Sequence, residues 1–157
     1  LLLAVRLPVF SKRAKRRVTA HPKFYFFDAG VFRTLRPRGP LDSAEEIDGA
    51  AIETIVFEEI RALNDYLDWG YGLHYWRTAS GLEVDFVLYG ERGLHAIEVK
   101  RSARLRGEDF KSLALFLEDY PMAKCWLLYG GAKAYREGAI QVLPLEAFLR
   151  ELPERLS

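Results

Sequence analysis

Two runs of alternating apolar residues, LEVDFVLY (82–89) and LHAIEVKR (94–101), flank the stretch GERG. Alternation of this kind marks strands, and a glycine-bracketed connection this short marks a β-hairpin. No other feature constrains the fold as much. It places two strands side by side and fixes which residues meet. With the turn closing symmetrically at Glu91-Arg92, Asp85 stands opposite Glu98 and Glu83 opposite Lys100. Strand side chains alternate between faces, so these four charged residues are expected to project together. Glu98 also leads into the run Glu98-Val99-Lys100.

The rest of the chain supplies cover for that hairpin. Residues 44–68 read as the main helix, with Ile52, Ile55, Val56, Ile60, Leu63 and Leu67 spaced to share a face. Ser43 or Asp42 is suited to cap its start, Glu45 and Glu46 to its first turn, and Gly70 and Gly72 to its end. LHYWRT (73–78) is a further strand. Residues 107–119 form a second helix carrying Phe110, Leu113, Ala114 and Leu117. AKCWLLYG (123–130) is a strand covered on both faces, AIQVLP a short strand and LEAFLREL a closing helix. Lys23 to Phe27 forms a short strand, and Asp28 caps a short helix reaching Leu35. This order predicts an α/β domain, with a mixed central sheet flanked by helices, over residues 23–157.

Residues 1–22 contain SKRAKRR and read as a basic N-terminal segment, an exposed loop or arm belonging to a longer chain. The chain begins without Met, in line with a portion of a longer protein. Residues 1–40 hold ten Lys and Arg against one acid, about +9, while the remainder is about −8. That asymmetry suits an anionic partner for the basic part, or a contact with the acidic body or with another domain. No apolar run approaches the ~18 residues of a membrane span, and LLLAV is too short for a signal peptide. The single Cys125, in an apolar run, excludes a disulfide or cysteine-based zinc site within one chain and fits a cytoplasmic protein.

Two carboxylates directly across a strand pair repel. A hard divalent ion held by Asp85 and Glu98 relieves that repulsion, and Lys100 beside it is placed to stabilise phosphate charge. A solvated cross-strand pair of Glu83 with Lys100, with Asp85 and Glu98 wetted, produces the same pattern. On the main helix Glu53 flanks the apolar stripe, Glu59 lies nearer its centre and Glu58 points away.

The order GAAIE (49–53) on a helix, then Asp85, then Glu98-Val99-Lys100 resembles the PD-(D/E)xK nuclease superfamily, which includes restriction endonucleases and archaeal Holliday-junction resolvases. Val84 stands where that pattern's proline would be. A longer combination, KFYFFDAGV, GAAIETIVFEEI, YWRTASGLEVDFVL and IEVKRS, resembles the C-terminal domain of unknown function carried by a family of prokaryotic AAA+-like ATPases. These resemblances imply a restriction-endonuclease-like fold, and Glu53, Asp85, Glu98 and Lys100 as catalytic residues with Mg²⁺ or Mn²⁺ on Asp85 and Glu98. They imply DNA as substrate and an ATPase module as partner in the full-length chain. No G-x-x-x-x-G-K-[ST] loop is present.

Candidate DNA-backbone contacts are Lys12, Arg13, Lys15, Arg16 and Arg17 in the arm, with Arg77 and Arg101 flanking the acids. Tyr75 and Trp76 could stack on bases, with one of them facing the core. His21, His74 and His95 are scattered and suggest no metal site. Two functions remain: a metal-dependent DNA endonuclease, or a non-catalytic DNA- or protein-binding module of an ATPase.

Overall fold

The structure is a computed structural model and describes residues 4–18, 21–26, 28, 30, 34, 39–40 and 43–157, without the side chain of Glu45. The helix expected from Asp28 to Leu35 and the candidate cap Asp42 fall largely outside these residues.

Ser43 starts the long helix α1 (Ala44–Tyr66) through a capping box. Its side chain accepts from the Glu46 amide at 3.1 Å, and Glu46 accepts from the Ser43 amide at 3.1 Å. The buried face of α1 runs through Val56, Phe57 and Ile60. Ile55, counted in the stripe from spacing, is 46% exposed, and Leu67 is 40% exposed just past the last turn. The apolar stripe is therefore narrower than its residues suggest, and rotated toward Phe57.

Short strands β1 (Ala4–Leu7) and β2 (Lys23–Phe26) pair antiparallel as a separate two-stranded sheet. The main sheet holds β3 (Gly72–Arg77), β4 (Glu83–Gly90), β5 (Gly93–Lys100), β6 (Lys124–Tyr129), β7 (Tyr135–Glu137) and β8 (Ile140–Pro144), in the order β3-β4-β5-β6-β8-β7. The sheet is mixed: β5, β6 and β8 run parallel, and the outer pairings are antiparallel. β7 lies in the glycine-rich stretch GGAKAYREG (130–138). It is a three-residue, fully exposed edge with no apolar period to mark it.

Helix α1 packs on one face of the sheet, with the short α3 (Leu145–Arg150) and α4 (Leu152–Leu156) beside it. Their core includes Phe57, Ile60, Phe86, Leu88, Ile97, Trp126 and Phe148. Helix α2 (Lys111–Asp119), entered through a 3₁₀ turn at Gly107–Phe110, covers the other face. There Leu113 and Phe116 meet Trp76, Val84, Val87, Ala96 and Leu127. A six-stranded mixed sheet flanked by helices is thus the observed architecture.

The N-terminal segment is built into this body. Phe10 is buried in the α2-side core and Leu7 in the α1-side core. Backbone bonds tie Phe10 N to Tyr75 O (2.6 Å) and Tyr75 N to Pro8 O (3.0 Å), and Val18 bridges Thr78. The chain before β2 therefore covers the outer edge of β3, which would otherwise present unpaired backbone groups. Between these anchors Ser11–Lys15 is exposed loop, in keeping with its composition.

Candidate functional site

The hairpin forms in the expected register, from Gly90↔Gly93 to Phe86↔Ile97. Gly93 adopts φ +133°, a conformation that favours glycine and explains one bracket of the turn. Among the described residues the β4–β5 ladder ends at Phe86↔Ile97, so two expected pairs do not form as stated. Asp85 does not simply face Glu98: its Oδ2 reaches across to accept the Val99 amide at 2.8 Å. The ladder also stops short of the expected Glu83–Lys100 pair, and on its other side Glu83 pairs with Arg77 of β3.

A β-bulge in the β3–β4 pairing lies beside this point. His74↔Val87 and Trp76↔Val84 leave one β3 residue, Tyr75, opposite two on β4, Asp85 and Phe86. The extra residue breaks the alternation. Val84 and Val87, expected on opposite faces, both enter the α2-side core. Beyond the bulge β4 carries its acids toward β2 and α1. The Asp85 carboxylate takes the place of a ladder carbonyl, which anchors it at the point where the β4–β5 ladder stops.

Lys23, on β2, enters this acidic space. Its Nζ forms an ion pair with Glu83 and lies 3.9 Å from both Glu53 Oε2 and Asp85 Oδ1. Tyr25, two residues on, donates its hydroxyl to Glu53 Oε2 at 3.2 Å. A cavity of about 150 Å³ adjoins them, lined in part by Lys23, Tyr25, Ala50 and Glu53. Lys23 and Tyr25 were absent from the sequence-predicted site. The only signal available was their placement two apart in KFYFF, which gives them a common strand face.

On β5, Glu98 is 4% exposed. Its Oε1 receives Lys100 Nζ at 2.8 Å, and among the described residues its Oε2 has no hydrogen-bond partner. Burial raises the Glu98 pKa to about 7, against the pull of Lys100 and with Glu53 and Glu83 adding to the rise. Asp85 is pushed well above the usual carboxylate range by burial and by the Glu98 and Glu53 charges, partly offset by Lys23 and the Val99 amide. Burial also raises Glu53, against Lys23 and the Tyr25 hydroxyl. Burial works against the Lys100 ammonium, but Glu98 and Asp85 hold its pKa above the ordinary value. Glu53, Asp85, Glu98 and Lys100 thus form one electrostatically connected set.

Among the described residues no group of three or more His, Cys, Asp or Glu side chains is placed to hold a metal ion. The donors present suit a different kind of site. Mg²⁺ is commonly bound through one or two carboxylates, with waters and substrate phosphate completing its shell. Asp85 and Glu98 are the two buried carboxylates that such a cation would use.

The basic residues divide. Arg16 grips Asp119 with two bonds (2.7 and 2.8 Å) and Glu118 with a third (3.2 Å). Lys15 donates to the Glu118 carbonyl at 3.2 Å, and Lys12 stands 4.2 Å over the Tyr89 ring. Arg13 and Arg17 are exposed. Arg77 lies 3.8 Å from Glu83, and Arg101 lies 3.4 Å from Asp48 of α1; both are about half exposed. Both aromatics of the Tyr75-Trp76 pair are buried, which removes the stacking platform expected of them. His95 is buried in a hydrogen-bond network with Tyr71 and Trp126. Among the described residues no helix is long and apolar enough to cross a membrane.

No curated protein matches the sequence. A family match covers residues 48–148, a span that includes Glu53, Asp85, Glu98 and Lys100 but not Lys23. The chain accordingly belongs to the family described as a domain of unknown function, DUF4143.

Proposed function

We propose that this is a PD-(D/E)xK nuclease-like domain that hydrolyses DNA phosphodiesters with Mg²⁺ or Mn²⁺, and that it forms the C-terminal part of a cytoplasmic AAA+-like ATPase. The observation that carries the reading is Glu98: a buried carboxylate with one oxygen on Lys100 and the other without a partner among the described residues, its charge raising the pKa of a second buried carboxylate, Asp85. Such an arrangement costs desolvation free energy that a bound cation would offset.

Asp85 and Glu98 would hold the cation, which supplies positive charge against a phosphate and eases ionisation of water. Asp85 is fixed for this by the Val99 amide, which leaves its other oxygen, Oδ1, outside that bond. Lys100 acts as a charged donor and not as a base, because its acid neighbours keep it protonated. Its place is beside the phosphate oxygens, where charge develops in the transition state. Glu53, held by Tyr25, adds negative potential that favours a cation. Arg77 and Arg101 supply exposed positive charge for the DNA backbone.

The test uses plasmid, linear and branched DNA with Mn²⁺. Cleavage that disappears in Lys100→Ala is the expected result. One observation favours a second reading, a non-catalytic DNA- or protein-binding module: Lys23 already sits among the acids. Tight DNA binding without cleavage is the outcome that selects it.

A further inference from the structure

Lys23 is held as a bound cation is held. Three carboxylates converge on its ammonium: Glu83 in direct contact, Glu53 and Asp85 at 3.9 Å each. Two aromatic faces complete the enclosure, with ring centres 5.6 Å away for Tyr25 and 5.5 Å away for Tyr75. The side chain is only 26% exposed. Burial disfavours its charge, yet the surrounding carboxylates raise its pKa above the ordinary lysine value.

The other half of the acidic site has a different partner. Glu98 pairs with Lys100 through one oxygen, and its second oxygen is unpartnered among the described residues. Asp85 stands between the halves, repelled by Glu98 and attracted by Lys23. A divalent ion shared by Asp85 and Glu98 would compete with Lys23 for the Asp85 charge. Two cations cannot both approach Asp85 closely without repelling each other.

We infer that Lys23 is a built-in counter-ion that competes with the divalent cation for Asp85, so that loading of the site requires the Lys23 ammonium to withdraw. The inference rests on the metal reading above and adds a regulatory element to it. Lys23 belongs to β2, which among the described residues pairs with β1 in a two-stranded sheet packed on the main one. Cation loading is thereby coupled to the β1–β2 pair, and whatever shifts that pair shifts the affinity. Glu83, which grips Lys23 hardest, acts as the holding point of this latch and not as a metal ligand.

The test is calorimetric titration of Mn²⁺ into the native chain, Lys23→Met and Asp85→Asn, with thermal unfolding to check that each variant folds. The expected result is at least a tenfold rise in affinity for Lys23→Met and loss of binding for Asp85→Asn. Equal affinity for the native chain and Lys23→Met, with loss in Asp85→Asn, overturns the Lys23 inference and leaves the metal reading intact. Binding by neither folded protein overturns both. A second measurement needs no variant: Mg²⁺ titration of lysine-¹³C-labelled native chain. Movement of the Lys23 Cε signal as the site fills supports displacement, and an unmoved signal at saturation refutes it.

Discussion

His95 and Glu98 stand three residues apart on β5, both buried and both able to carry charge, and the protein treats them in opposite ways. Trp126 Nε1–H donates to His95 Nδ1 at 3.2 Å, which leaves the proton of the neutral ring on Nε2. That nitrogen meets the Tyr71 hydroxyl oxygen at 3.2 Å, and Tyr71 donates onward to the Leu156 carbonyl at 2.8 Å. Every polar atom has a partner, and burial, aided by Lys124, drives the His95 pKa down to about 4. The ring is fixed in its neutral form and ties β5 to β6 and to the last helix. Glu98 is left with an oxygen unpartnered among the described residues and a pKa of about 7. A fully partnered buried group serves architecture. A buried carboxylate with an open oxygen carries a desolvation cost, which uptake of a proton or a bound cation offsets.

The largest effect that can break this contrast is Glu98→Gln. Cation binding should fall by more than the ~10–100-fold that follows loss of an outer partner. Folding stability at pH 8 should rise by about 1–3 kcal/mol, because the penalty for a buried, unsatisfied charge disappears. Mn²⁺ titration and urea denaturation measure the two halves. Tyr71→Phe should behave in reverse. It leaves the Leu156 carbonyl and His95 Nε2 without their partner and should cost about 1–3 kcal/mol in urea, with cation affinity unchanged.

Acid sharpens the comparison. The folded-state pKa of His95 lies below its unfolded value, so its contribution is complete above pH ~6.5 and is lost as pH falls toward about 4. Glu98 has the opposite sign: its pKa is raised to about 7, so the stability it contributes is complete below pH ~4.5 and is lost as pH rises through 7. At pH 5 His95 should cost the native protein on the order of 1–2 kcal/mol. Denaturation midpoints from pH 4 to 8 should show that loss in the native chain and a flatter acid limb in His95→Gln. The smallest effect belongs to Ile55→Ser, expected within about 0.5 kcal/mol because the side chain is 46% exposed.

The limits of what the sequence revealed have physical causes. The hairpin register was readable because a two-residue turn leaves one symmetric solution. Glu98 and Lys100 were readable because a strand period places them together. The turning of Asp85 out of the ladder was not, because the bulge beside it is set by pairing with β3, and Tyr75 gives no local sign of opposing two residues. The role of Lys23 was hidden for a similar reason. It joins the acids through contacts spanning 60 residues to Glu83, which no periodicity encodes. Basic composition made residues 1–22 look detached, whereas Leu7 and Phe10 anchor that segment in the core. Ile55 was misassigned because helical spacing admits a wider stripe than the sheet beneath α1 can cover.

The central claim is that the unpartnered oxygen of Glu98 marks a divalent cation site shared with Asp85. Electron paramagnetic resonance of free Mn²⁺, titrated with the native chain and with Glu98→Gln, tests it most directly. The account predicts that the native chain removes free Mn²⁺ signal with one-site saturation and that Glu98→Gln leaves the signal in place. An undiminished signal with the native chain, or equal binding by Glu98→Gln, would contradict it.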